Sequence, residues 1–106
     1  MFIIQKYCKV FFIYRDEEIL VHAPIGNSIL EIAHKNRINI EGICGGAMAC
    51  ATCHVFFDEM EYKRIAKPRN EELETLDLAF NVKKTSRLGC QVIITEKLEG
   101  IKIYLL

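Results

Sequence analysis

Three cysteines fall within ten positions, Cys44, Cys50 and Cys53, spaced C-x5-C-x2-C, and a fourth, Cys90, follows 37 positions after Cys53. The total of five is odd and the first residues, stopping at Gln5 and Lys6, do not read as a secretory leader, so metal chemistry in a reducing compartment is expected rather than a disulfide framework. Three local thiolates and one distant one suit a 2Fe-2S cluster, in which two tetrahedral irons share two sulfides and each takes two cysteine sulfurs. Gly45, Gly46, Ala47, Ala49, Ala51 and Thr52 are small. Small side chains let backbone N–H groups turn toward anionic sulfur, and such hydrogen bonds, with solvent exclusion, set a reduction potential.

The same residues admit two other metal readings. Four cysteines can build a structural zinc site, although such sites usually pair two short knuckles and Cys90 has no near partner. Cys50-Ala51-Thr52-Cys53-His54 also spells C-x-x-C-H, the covalent haem motif, with Met48 or Met60 available as an axial ligand. That reading leaves Cys44 and Cys90 idle and needs an exported chain. His22 and His34 have no constellation around them, Cys8 reads as a free thiol, and Arg87 reads as an anchor for the segment before Cys90. Glu71, Glu72, Glu74 and Asp77 form an acidic cluster. Acidic residues in a first helical turn gain about 0.3–1 kcal/mol from the helix dipole, so a solvated face accounts for them as well as a docking face does.

The run Glu41-Gly42-Ile43-Cys44-Gly45-Gly46-Ala47-Met48-Ala49-Cys50-Ala51-Thr52-Cys53-His54-Val55, with Leu76-Asp77-Leu78-Ala79 and Ser86-Arg87-Leu88-Gly89-Cys90-Gln91, resembles the adrenodoxin-type ferredoxins of mitochondria and bacteria. The resemblance extends from about Val10 to Tyr104. Plant-type ferredoxins place four residues, not five, between their first two cysteines.

The resemblance implies an α+β, β-grasp ferredoxin fold, a mixed sheet packed on a helix with a cluster-binding loop. It implies one 2Fe-2S cluster held by Cys44, Cys50, Cys53 and Cys90, and a one-electron carrier rather than an enzyme. An NAD(P)H-dependent flavoprotein ferredoxin reductase is the implied donor. The iron-sulfur cluster assembly proteins are the leading acceptor and a haem-thiolate mono-oxygenase the competing one. A non-redox module with a structural metal is the alternative class. The resemblance also moves Glu71, Glu72, Glu74 and Asp77 toward partner docking and makes His54 a structural hydrogen-bonding group. The bacterial cytoplasm, the mitochondrial matrix and a mitochondrion-related organelle all fit. Lys83 and Lys84 and a pI near 6.8 depart from an acidic group, which weakens the expected electrostatic docking.

The elements that must position these groups follow from periodicity. Lys9–Tyr14 and Ile19–Ala23, β-branched and aromatic around a charged turn, read as a hairpin. Ser28 and Glu31 form a capping box for a helix reaching about Asn36, with Ile29, Ile32 and Ala33 on one face. Residues 39–52 read as a loop and His54–Phe57 as a strand. Asn70 is expected to cap a helix running to about Asn81 with Leu73, Leu76 and Phe80 on its buried face. Gln91–Thr95 and Ile101–Leu105 read as two final strands around the turn at 96–100.

At 106 residues, 51% hydrophobic and 26% charged, the chain is expected to form one domain over 1–106 that buries about two thirds of its extended surface. Fourteen basic against fourteen acidic residues argue against a nucleic-acid partner, and no apolar run is long enough for membrane insertion. A monomer is expected. Four thiolates, two sulfides and two ferric ions carry a formal charge of −2, and −3 when reduced, so the loaded protein is a net anion that attracts basic partners. Bringing Cys90 to the local trio closes a loop at a cost of about 3 kcal/mol in chain entropy, which metal–thiolate bonds offset. The cluster-free protein is therefore expected to unfold at a lower temperature than the loaded one, and equal midpoints in paired thermal melts would contradict this.

Overall fold

The computed structural model describes residues 6–38, 40, 53–79 and 81–105. Strands β1 (Tyr7–Tyr14) and β2 (Glu17–Pro24) form the expected hairpin, joined at Arg15 and Asp16, with Val10 opposite Val21 and Phe12 opposite Ile19. Arg15 has φ of 55°, the positive value that tight two-residue hairpin turns require. Strand β3 (His54–Phe56), strand β4 (Ser86–Leu88) and strand β5 (Ile101–Tyr104) complete a mixed sheet in the order β2-β1-β5-β3-β4. Strand β5 runs parallel to β1, pairing Val10 with Ile101 and Phe12 with Ile103, whereas β3 is antiparallel to both of its neighbours.

Alternation decides which face is inside. Cys8, Val10 and Phe12 of β1, Val21 and Ala23 of β2, and Ile101 and Ile103 of β5 are all buried, and α1 (Ile29–Lys35) covers that face with Ile29, Leu30, Ile32 and Ala33. The capping box is formed in full, Glu31 N–H donating to Ser28 Oγ (3.1 Å) and Ser28 N–H to Glu31 Oε1 (3.0 Å). At its other end α1 closes on Arg37, at φ 58°, with Arg37 N–H bonded to the His34 carbonyl and Ile38 N–H to that of Ala33. This is the double bond pattern of a Schellman motif, with arginine where glycine is usual.

Four expectations are corrected. Residues 91–95 alternate in burial as a strand would, but pair with no ladder, only through a bridge between Ile93 and Ser28. Their backbone groups are taken by the approach to α1, through Ile29 N–H to Val92 O (2.9 Å), Gly26 N–H to Ile94 O (2.9 Å) and Ile94 N–H to Asn27 O (2.9 Å). The acidic helix, α3 (Asn70–Leu76), stops well short of Asn81, and Arg69 rather than Asn70 is its N-cap. Its buried face is Glu72 with Leu76, while Leu73 is 46% exposed and Phe80 lies outside the described residues. Periodicity gave no sign of strand β4 or of α2 (Glu59–Tyr62), a single helical turn.

Ser28→Ala removes one half of the cap and is expected to lower unfolding free energy by about 1 kcal/mol in urea titrations. The Ser28 backbone N–H holds the Glu31 carboxyl below its ordinary value of 4.5. A depressed carboxylate stabilises the fold above its unfolded pKa and ceases to as pH falls through the folded one. The stability gap between the native chain and Glu31→Gln is therefore full above pH 4.5 and closes below it.

Candidate metal centre

Sheet register brings two of the four candidate sulfurs together. Cys53 directly precedes β3 and Cys90 lies two residues past β4, and because His54 is paired with Leu88, Cys53 falls opposite Gly89. Gly89 N–H donates to the Cys53 carbonyl at 2.9 Å, and a Cβ on Gly89 would stand 3.1 Å from that oxygen, a tight contact that glycine avoids. Gly89 O in turn accepts from Leu30 N–H (3.0 Å), which fixes this corner to α1. The result is Cys53 Sγ 3.5 Å from Cys90 Sγ, far outside a disulfide bond of about 2.05 Å. A tetrahedral metal with bonds of about 2.3 Å to sulfur sets two of its ligands about 3.8 Å apart, so one ion fits this pair with little adjustment. Cys53 is fully buried, Cys90 is half-buried, and Gln91 Nε2 donates to Cys90 Sγ at 3.4 Å. Cys44 and Cys50 lie outside the described residues.

The supports around this pair are polar and buried. Arg87, the anchor expected from sequence, lays its guanidinium on Glu72, Nε to Oε2 at 2.6 Å and Nη2 to Oε1 at 3.0 Å, and donates from Nη1 to the Ala66 carbonyl at 2.7 Å. Glu72 Oε2 also accepts from Leu88 N–H at 3.0 Å. Glu72 is 2% exposed and Arg87 3%, so Glu72 is an internal counter-ion and not the docking residue expected of it. The desolvated guanidinium before Cys90 demands a carboxylate, and Glu72, four residues from buried Leu76, is the acidic residue on the inward face. The signal in the sequence was that i, i+4 relation. Glu71, Glu74 and Asp77 are exposed, beside Leu73 (46% exposed) and Leu78 (79%). His54, buried, shares a 2.6 Å hydrogen bond with Ser86 Oγ, which accepts from Lys83 N–H at 2.7 Å. Ser86 and Gln91 were not singled out from sequence. Cys8 stands apart from the centre, buried, its thiol pushed up by burial and by the nearby Glu99. His34 bonds the Ile40 carbonyl (2.9 Å), and His22 is exposed.

Comparison with known proteins matches residues 12–95 to the 2Fe-2S iron-sulfur cluster binding domain. The chain belongs to the 2Fe-2S ferredoxins, electron carriers rather than enzymes, with one 2Fe-2S cluster. The 2Fe-2S ferredoxin of Rickettsia bellii (strain RML369-C) is 54% identical over 102 residues, 95% of this chain and 92% of that protein. Adrenodoxin-like protein 1, mitochondrial, of Arabidopsis thaliana is 48% identical over 96 residues, 89% of this chain and 49% of that protein. A cysteine-to-serine variant of putidaredoxin from Pseudomonas putida, in its reduced state, superimposes with a TM-score of 0.87 at 33% identity, covering 92% of this chain and 94% of that one. A covalent putidaredoxin reductase–putidaredoxin complex aligns at 0.84 and 33%, covering 91% and 95%. Within the ferredoxins the chain is of the adrenodoxin type, and its α+β architecture is the β-grasp. No helix among the described residues is long and apolar enough to cross a membrane.

Glu72→Ala strands a buried guanidinium and is expected to cost about 3–5 kcal/mol, whereas Glu71→Ala on the exposed side should stay within about 0.5 kcal/mol. Urea unfolding of the two variants separates them, and equal losses would make the buried pair no more important than the surface charge.

Proposed function

We propose that Cys44, Cys50, Cys53 and Cys90 hold the cluster, and that the chain carries single electrons from a flavoprotein ferredoxin reductase using NAD(P)H to the iron-sulfur cluster assembly machinery. The observation that carries this reading is the 3.5 Å approach of the Cys53 and Cys90 sulfurs, built by the β3–β4 register and the Gly89 contact. When bound, the cluster supplies a one-electron couple at the thiolates without proton transfer or bond rearrangement in substrate. The chain's own part is to hold sulfurs, to keep water from Cys53, and to donate a hydrogen bond from Gln91 to Cys90.

A reductase partner is supported by putidaredoxin, which resembles this chain and has been captured joined to its reductase. Glu71, Glu74 and Asp77 are the docking charges proposed, with the exposed Leu73 and Leu78 as the apolar contacts. Such a mixed surface steers a basic partner and then excludes water from the contact. A bacterial cytoplasm is the compartment proposed, from the ferredoxin relatives in Rickettsia, and a monomer the working state.

Electron paramagnetic resonance of anaerobically purified protein, before and after dithionite, with iron, sulfide and zinc assayed on the same sample, tests the centre. A signal appearing only on reduction, with two irons and two sulfides per chain, is expected, and its loss in Cys53→Ser and Cys90→Ser. One zinc, no sulfide and failed reconstitution would replace this reading with a structural module. Charge reversal at Glu71, Glu74 and Asp77 should raise the KM for reductase at least several-fold at low salt, with the difference shrinking as salt is added. Reduction of a reconstituted assembly reaction by the loaded protein tests the acceptor.

A further inference from the structure

The acidic face accounts for only one sign of charge in a chain of fourteen basic and fourteen acidic residues. Part of the other sign borders an open groove of about 940 Å³ with Ile25, Ile65 and Ile93 among its apolar lining residues and Lys63 and Lys97 beside them. Arg64 holds two walls of this groove together. It donates from Nη2 to the carbonyls of Lys97 (2.9 Å) and Glu99 (2.6 Å) and from Nη1 to Glu61 (3.0 Å), fastening the end of α2 to the turn at 96–99. Those bonds occupy the Arg64 fork, Arg87 is committed to Glu72, and Glu96 is paired with Lys6 (2.9 Å). Among the described residues Lys63 and Lys97 have no ion pair, and both are exposed. Ile93 is 46% exposed on the same lining.

A partly exposed apolar strip flanked by two ammonium groups without an ion pair among the described residues complements an extended protein segment that presents carboxylates beside apolar side chains. Gln91, which also lines the groove, donates to Cys90 Sγ, so an occupant lies one residue from a candidate cluster ligand. Glu71, Glu74 and Asp77 do not line the groove.

We propose that this groove is a second docking surface, taking an acidic and apolar segment of an electron-transfer partner, and that its occupancy is felt at Cys90. The groove is thus lined by different residues from the acidic face. Carboxylates held by Lys63 and Lys97 in a groove that Gln91 also lines oppose the extra negative charge of the reduced state, so an occupied groove makes reduction harder. The effect on the cluster rests on the assignment of Cys90 as ligand, whereas binding to the groove does not.

The test uses loaded protein at low salt and a dye-labelled, end-capped octapeptide alternating Glu and Leu, with an octapeptide alternating Lys and Leu as control. Saturable binding of the acidic peptide is expected by fluorescence anisotropy, weakened at least tenfold by Lys63→Glu with Lys97→Glu and unchanged by reversal at Glu71 and Glu74. Saturation should lower the equilibrium constant for reduction at least twofold in spectroelectrochemical titration. No saturable binding, equal binding of the basic peptide, insensitivity to the lysine reversals, or an unmoved reduction equilibrium would each overturn the proposal. Concentration-dependent self-association abolished by the same reversals would give the groove to a second copy of the chain and also overturn it. Absence of iron and sulfide from the sample would instead count against the cluster assignment, leaving the anisotropy result to judge the groove.

Discussion

The carboxylate of Glu72 is the point on which three separate segments converge. It takes two hydrogen bonds from Arg87 and one from the backbone of Leu88, while Arg87 reaches on to the Ala66 carbonyl. Helix α3, the connection before it and strand β4 are thereby held in one arrangement. The approach of Cys90 to Cys53 follows from where β4 lies against β3. A buried pair of this kind contributes little net stability over a well-packed apolar substitute, because desolvation cancels much of the attraction. What it contributes is placement, since neither charge can be left in the interior without the other.

That placement divides the acidic helix by function. Glu72 looks inward and organises the segment leading to Cys90, and Glu71, Glu74 and Asp77 look outward with Leu73 and Leu78. One short helix thus joins the surface proposed for the partner to the segment proposed to hold the cluster. A carrier that exchanges single electrons needs this kind of economy, because it must present a ligand near the surface while keeping its inner sulfur dry. In the arrangement proposed, full burial of Cys53 and partial burial of Cys90 would meet both needs. The charge balance of the whole chain then has a structural meaning. Acidic groups gather on α3, and Lys63 and Lys97, without an ion pair among the described residues, stand along a groove lined by other residues, so a neutral sum hides two oppositely charged surfaces.

Much of the fold was legible because its signals are local. The hairpin follows from alternation, α1 from Ser28, Glu31 and a run of inward aliphatics, and β3 from the apolar run after Cys53. Where reading failed, a long-range partner had claimed the backbone or the side chain. Residues 91–95 have the pattern of a strand, but the approach to α1 takes their hydrogen bonds. Strand β4 is three residues long, too short to show a period, and exists because β3 is beside it. Arg37 closes α1 in a conformation that glycine would have announced.

The sequence by itself determined the chemistry: four cysteines at spacings that suit a 2Fe-2S centre, small residues between them, and an acidic cluster downstream. Those properties depend on residue type and on separation along the chain, which a one-dimensional string records. Only the tertiary structure decided which acidic residue is buried against Arg87, where the Cys90 sulfur meets that of Cys53, and that Gln91 reaches a sulfur from the lining of a basic groove. Each of these depends on distances between residues far apart in the chain, set by sheet register and by the cost of burying an unpaired charge.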